Sequence, residues 1–317
     1  MQLMRLGAAL LLLLGMAASA EAQSMRFVVP YTPGAANDTL ARVLAQHLGE
    51  ATGRSVVVDN KPGGGGHIAA EQVAHTTPDG QTLLVTTNGL LAIGPHLYRK
   101  LPYDPQKDLA PVVRFADVPY ALSAAPDLGI KNVGELIALA KQRPEQVNFA
   151  SSGNGSVPHL CGELINLKAG IKLTHVPYKG GAQAMNDVMA GTVQLYCGSI
   201  PSLLGYAQSG RIRLLGVTSA KRSPLLPDLP TFEEQGLHGI DVNSWVGLHA
   251  PRGTPASTIE HLYTEVAKLM ATDKLRQAFL SQGAEPEAVA PADFAARIRQ
   301  ESERWAPIVE ASGATLD

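Results

Sequence analysis

Arg26-Phe-Val-Val-Pro-Tyr-Thr-Pro-Gly-Ala-Ala-Asn-Asp38 passes from a β-branched strand pattern through a Pro/Gly turn into a helix start. Beyond it Leu40, Val43, Leu44 and Leu48 share one face at i, i+3, i+4 and i+8, with Asn37 or Asp38 available as the cap. The same order repeats at once: strand Ser55–Asp59, helix Ile68–Ala74, strand Thr82–Thr86. A βαβαβ order implies a mainly parallel sheet with helices on both faces, so the fold class is α/β.

A second set follows, with strands at 120–124, 147–150, 173–176 and 193–197 and helices at 133–141, 159–169 and 182–190. Strands at 214–218 and 245–250 come next, and two amphipathic helices, 257–271 and 292–312, finish the pattern. No linker rich in Gly, Ser or Pro divides the halves. Two extended crossings, Val112–Leu122 and Ser244–Ala250, are expected to act as hinges. They join a discontinuous first lobe (23–118 and 247–317) to a second lobe (119–246).

Ahead of this region, Met1–Arg5 carries one positive charge, Leu6–Met16 is almost wholly apolar, and Ala20-Glu-Ala22 ends in small residues. Residues 1–22 therefore read as a secretory signal peptide, too short in its apolar run to span a bilayer and with no following Cys to take a lipid. A periplasmic location is expected. The roughly 295 remaining residues exceed what one core usually serves, which agrees with two lobes.

Lys+Arg of 26 against Asp+Glu of 28 gives no reason to expect nucleic acid or an anionic membrane surface as partner. With only Cys161 and Cys197 present, neither a disulfide framework nor a thiolate metal site can be built. Two buried thiols acting as small hydrophobes are the favoured reading; one disulfide between them is the alternative, because spacing does not reveal the Cα distance.

Four loops stand at strand-to-helix junctions, where open α/β sheets bind ligands. They are Tyr31–Asp38, Asn60–His67, Thr86–Gly89 and Ser151–Ser156, each combining Gly with Ser, Thr or Asn. Amide groups freed at helix starts favour carboxylate or phosphate there. The tetraglycine run Gly63–Gly66 invites comparison with a dinucleotide fingerprint, but Thr86-Thr-Asn88 stands where the acid should follow. Nucleophile-elbow, P-loop and zincin signatures are absent as well. No catalytic residue, metal or cofactor is expected; an α/β hydrolase or oxidoreductase acting on a small carboxylate is the competing class.

Taken together the chain resembles the Bug family, the TctC-type extracytoplasmic solute receptors of tripartite tricarboxylate transporters. The resemblance rests on Val29-Pro-Tyr-x-Pro-Gly34 with Asp38 and Ala41-Arg42, Val58-Asp-Asn-Lys-Pro-Gly63 with Gly65 and Gly66, and Pro78-Asp-Gly-x-Thr-Leu-Leu84. It continues in Leu101-Pro-Tyr-Asp-Pro105, Ser152-Gly-Asn-Gly-Ser156 with Pro158-His-Leu160, His175-Val-Pro-Tyr-Lys-Gly180, Val217–Ser223, Leu226-Pro-Asp-x-Pro-Thr231 and Trp305. Membership would imply a type II periplasmic-binding-protein fold that clamps a small carboxylate between two lobes and serves the transporter's membrane components, as a monomer. Matched to the family, the ligand contacts are Tyr31, Gly34, Ala35 and Asp38 in the first loop, Gly65 and Gly66 in the second, and Thr86, Thr87 and Asn88 in the third. Second-lobe contacts are Ser152, Gly155, Ser156, His159, Tyr178, Gly198 and Ser199. Three positions depart from the pattern: Ala35 replaces the usual Gly, Asn37 a common Thr, and Cys197-Gly-Ser199 a frequent Phe-Asp-Asn. Without that Asp, a dicarboxylate or aromatic acid is expected rather than an amino acid, with His159, Ser156 and Ser199 donating to its far end and Lys179 adding charge from the rim.

Overall fold

The computed structural model describes residues 24–316, so the expected signal peptide lies outside the described residues. The first lobe opens with β1 (Met25–Val29), α1 (Ala36–Thr52), β2 (Val56–Asn60), α2 (His67–Ala74) and β3 (Thr82–Thr87). A π-turn over Gly89–Ile93 runs into the short α3 (Gly94–Leu97). Helix α1 forms where the sequence places it: Leu40, Ala41, Leu44, Ala45 and Leu48 are buried against Phe27, Val29, Leu83 and Val85. Each buried leucine contributes roughly 2 kcal/mol, and Gly53 ends the helix by donating its N–H to the Gly49 carbonyl.

The second lobe is reached through β4 (Leu109–Ala124), followed by α4 (Val133–Gln142), β5 (Asn148–Ser151), α5 (Val157–Ala169), β6 (Thr174–Pro177) and α6 (Gly181–Met189). Then come β7 (Leu195–Ser199), α7 (Ile200–Gln208), β8 (Arg213–Val217) and β9 (Asn243–Pro251). The chain closes with α8 (Ala256–Met270), α9 (Asp273–Ser281), β10 (Glu285–Val289) and α10 (Pro291–Ser312).

Each lobe carries a parallel trio, β2-β1-β3 in the first and β7-β5-β6 in the second. Antiparallel pairs are added by the crossing strands, which makes the whole sheet mixed. Strand β4 changes partners along its length. Its first part, to Pro119, lies beside β9, and from Tyr120 it lies beside β7 and β8. A single long strand thus belongs to both sheets.

Helix α10 also serves both lobes. Phe294 and Ile298 pack with Val28, Leu84 and Trp245, whereas Trp305, Ile308 and Val309 pack with Leu122 and Leu160. At the changeover Glu301, itself buried, accepts from Trp245 Nε1 at 2.9 Å and pairs with Arg297. Among the described residues no helix is long and apolar enough to cross a membrane.

Cys161 on α5 and Cys197 on β7 form a disulfide, with Cα atoms 6.5 Å apart. Both are fully buried, as the favoured reading expects, but they are not free thiols: the disulfide given as the alternative is the one that forms. Thirty-six residues separate them in the chain, and only the packing of α5 on the sheet brings them within bonding range.

Candidate functional site

The first loop is held by Asp38. Its buried carboxylate accepts from the Gly34 amide at 2.9 Å, Arg42 Nε at 3.0 Å and Asn60 Nδ2 at 2.8 Å. Burial raises its pKa, and these donors outweigh that, leaving the carboxyl below the usual range. Both oxygens are therefore spent on bracing the loop, and Arg42 extends the brace to Asn60 Oδ1 at the end of β2. Helix α1 has no side-chain cap, and the amides of Ala36, Asn37 and Asp38 have no acceptor among the described residues. The N–H of Ala35 is taken by the Thr32 carbonyl. Amides available for an anion thus lie one to three residues beyond Gly34 and Ala35.

The other first-lobe residues divide by face. Tyr31 and Thr87 share a hydrogen bond of 2.8 Å between hydroxyls. Thr86, one residue earlier in β3, points to the opposite face, where its Oγ1 lies 2.9 Å from Nδ1 of the buried His249 on the neighbouring β9. The Asn88 amide is locked onto the start of β9 by bonds to the Asn243 carbonyl and Ser244 Oγ. Of the third-loop trio, only Thr87 lies with Tyr31. Gly65 and Gly66 sit in the tight turn that opens α2, and a Cβ at Gly65 would stand 2.5 Å from the Tyr98 hydroxyl.

In the second lobe a ring stack organises the loop of Ser152, Gly155 and Ser156. The ring centroids of His159 and His175 lie 3.9 Å apart and those of His175 and Phe149 5.0 Å apart, with the planes within 26° of parallel. His159 Nδ1 accepts from the Gly155 amide at 3.1 Å, while His175 Nε2 is 2.6 Å from Ser151 Oγ. Burial, with help from His175, pushes the His159 pKa down to about 4, so this ring is neutral. It positions the loop rather than offering a charge. Ser156 Oγ donates to the Gly153 carbonyl, and Tyr178 donates to Asp187 at 2.6 Å. Ser199 Oγ meets Ser202 Oγ, and Lys179 is exposed.

Gly198 is buried for a reason that the strand supplies. Residues 196 and 198 project from the same face of β7, and a Cβ at 198 would stand 2.7 Å from Tyr196 Cε1 and 3.0 Å from Leu203. The ring of Tyr196 occupies the space an acid would need. A Cβ at Gly155 would meet Leu97 at 2.7 Å, so the end of α3 and the second-lobe loop approach one another directly. Tyr120 lies between them, opposite Ser199 in the β4–β7 register and packed on the cores of both lobes.

A cavity of about 500 Å³ elsewhere is lined by Arg114, Asp117, Lys221, Asp241, Glu285 and Arg297, and includes none of these loops. Its ions pair with each other, Arg114 with Asp117 and Arg297 with Asp241, and Ser223 donates across to Glu285 at 2.7 Å. This arrangement is that of a joint between lobes.

A family model described as the tripartite tricarboxylate transporter family receptor matches residues 40–314. The chain belongs to that family. Among curated relatives of this receptor, BugT of Bordetella pertussis (strain Tohama I) is 36% identical over 296 residues, 93% of this chain and 91% of its own. A solved Rhodopseudomonas palustris protein with adipate is 38% identical with a TM-score of 0.80, covering 94% of this chain and all of its own. MatC from the same species, with bound malate, is 31% identical at a TM-score of 0.75, covering 90% and 98%. The two-lobed α/β fold expected of the receptor is shared with these proteins.

Proposed function

We propose that this receptor works in the periplasm, capturing a small dicarboxylate or aromatic carboxylate between its lobes and presenting it unchanged to the membrane components of a tripartite tricarboxylate transporter. The observation that carries the reading is the uncapped start of α1, where three amides await an anion beside a loop whose only acid is neutralised by Arg42, Gly34 and Asn60. The amides of Val157 and His159 at the start of α5 are likewise without acceptors among the described residues, on the other side of the cleft. Adipate and malate on structural neighbours fit this chemistry.

Melting temperatures measured with adipate, malate, terephthalate and a set of amino acids test the proposal. Binding to the folded state alone at a hundred times Kd adds about 2.7 kcal/mol. Small-angle scattering with the best ligand is expected to show a smaller radius of gyration, as the lobes close about the points where β4 and residues 242–243 pass between them. If no acid in the panel shifts the melting point, the reading fails; product formation would favour the enzyme class instead.

The first loop offers a sharper check. Gly34 holds φ at +83°, and nothing lies within 4 Å of the place a Cβ would take. Gly34→Val is expected to strain the loop by about 1–3 kcal/mol and drop ligand affinity at least tenfold, with the fold retained. Calorimetry that finds normal affinity in this variant would remove the loop from the site.

A further inference from the structure

Tyr196 is 93% buried by exposure of 7%, yet its hydroxyl has no hydrogen-bond partner among the described residues. That hydroxyl is not sealed from solvent, so it opens onto space rather than onto protein. A buried tyrosine normally satisfies its O–H, and one that does not is aimed at something else. Its surroundings identify the space. The ring covers Gly198, and the hydroxyl lies 2.6 Å from where a Cβ at Gly181 would stand, at the junction of β6 with α6. Both places belong to the strand ends where the second-lobe loops gather.

Two further phenols share this condition. Tyr98 places its hydroxyl over Gly65 in the first-lobe loop, and Tyr120 stands at the crossing between the lobes; neither hydroxyl has a protein partner, and neither is sealed from solvent. Burial raises the pKa of all three, which keeps them protonated and able to donate.

We infer that Tyr196 donates its hydroxyl to the distal carboxylate of the ligand, and that the second-lobe end of the cleft is a phenolic subsite selecting two-ended acids with an apolar spacer. This rests on the receptor reading above and deepens it. A phenol donates to a carboxylate, and its ring packs on CH₂ groups or an aromatic ring between the two ends. It offers no counter-charge, so a ligand ammonium finds only a neutral acceptor there.

The test is calorimetry of wild type, Tyr196→Phe and Tyr120→Phe with adipate and terephthalate against the one-ended acids hexanoate and benzoate. A hydrogen bond to a charged group is worth ten- to hundredfold in affinity, so Tyr196→Phe is expected to weaken the diacids by at least tenfold and leave the monoacids within twofold. Because the change removes one oxygen from a ring that keeps its packing, folding is expected to survive, and the melting point of each variant checks it. Diacid affinity that stays within twofold while wild type binds well would overturn the inference alone. Equal losses for diacids and monoacids would overturn it too, since they indicate a packing role. Wild type binding none of the four acids would instead bring down the receptor reading on which the inference depends.

Discussion

Acidification from pH 7 to pH 5 is expected to remove roughly 5 kcal/mol of folding stability, with about 2 kcal/mol coming from each of three buried histidines. Burial pushes His67 and His159 down to about 4 and His249 to about 3. A histidine depressed in the folded state is neutral there, whereas in the unfolded chain it takes up a proton near pH 6.5. Its stabilising contribution is therefore complete above pH 6.5 and is lost as pH falls toward the folded value. Asp117 acts in the opposite sense: burial raises it to about 6, against the pull of Arg114, so the folded state gains a proton first and recovers about 1 kcal/mol near pH 5. Denaturant titrations at both pH values measure the net effect, and equal unfolding free energies would refute it. Affinity should fall only lower on the scale, as the pH drops through about 4, where the folded protein's His159 takes up its proton. A protonated His159 loses the lone pair that now accepts from Gly155, and the loop it braces is freed.

Reduction of the Cys161–Cys197 bond is expected to cost about 4 kcal/mol, the value for closing a loop of this length in the unfolded chain. Its position also bears on ligand binding. The bond ties α5, whose first turn follows Ser152–Ser156, to β7, whose end presents Gly198 and Ser199. Both second-lobe contributions to the cleft are thereby fixed to one rigid unit. Chemical denaturation of oxidised and reduced protein, with Cys161→Ala/Cys197→Ala as a control that reductant should not affect, provides the measurement. An unfolding free energy unchanged by reduction would show that packing of α5 alone holds these parts together.

Much of the architecture was legible because it is local. The β-branched runs, the i, i+3, i+4 face of α1 and the Pro/Gly punctuation each depend on neighbours within a dozen residues. Three short helices, Gly94–Leu97 among them, and a strand escaped. Ile200–Gln208 carries an early Pro and an internal Gly, which weaken its helical pattern, yet Ile200 and Leu203 bury on the sheet. Asp273–Ser281 buries only Leu275 and Phe279, one turn apart, and β10 exists through its pairing with β4. Arg42 and Asn60 were visible as residues, but their joint hold on Asp38 was not.

The sequence by itself determined the alternation of the main strands and helices, the glycine-bearing turns at strand ends and the family to which so many ordered motifs belong. Alternation along β3 and β7 also required Thr86 and Thr87 to part company, and Tyr196 and Gly198 to share a face. Only the tertiary structure decided which face looks into the cleft, that Cys161 meets Cys197, that α10 serves both cores, and that Asp38 and His159 spend their polar atoms on loops. Periodicity along a chain fixes relative directions, whereas what lies in those directions comes from segments tens to hundreds of residues away, brought together by the burial of apolar surface.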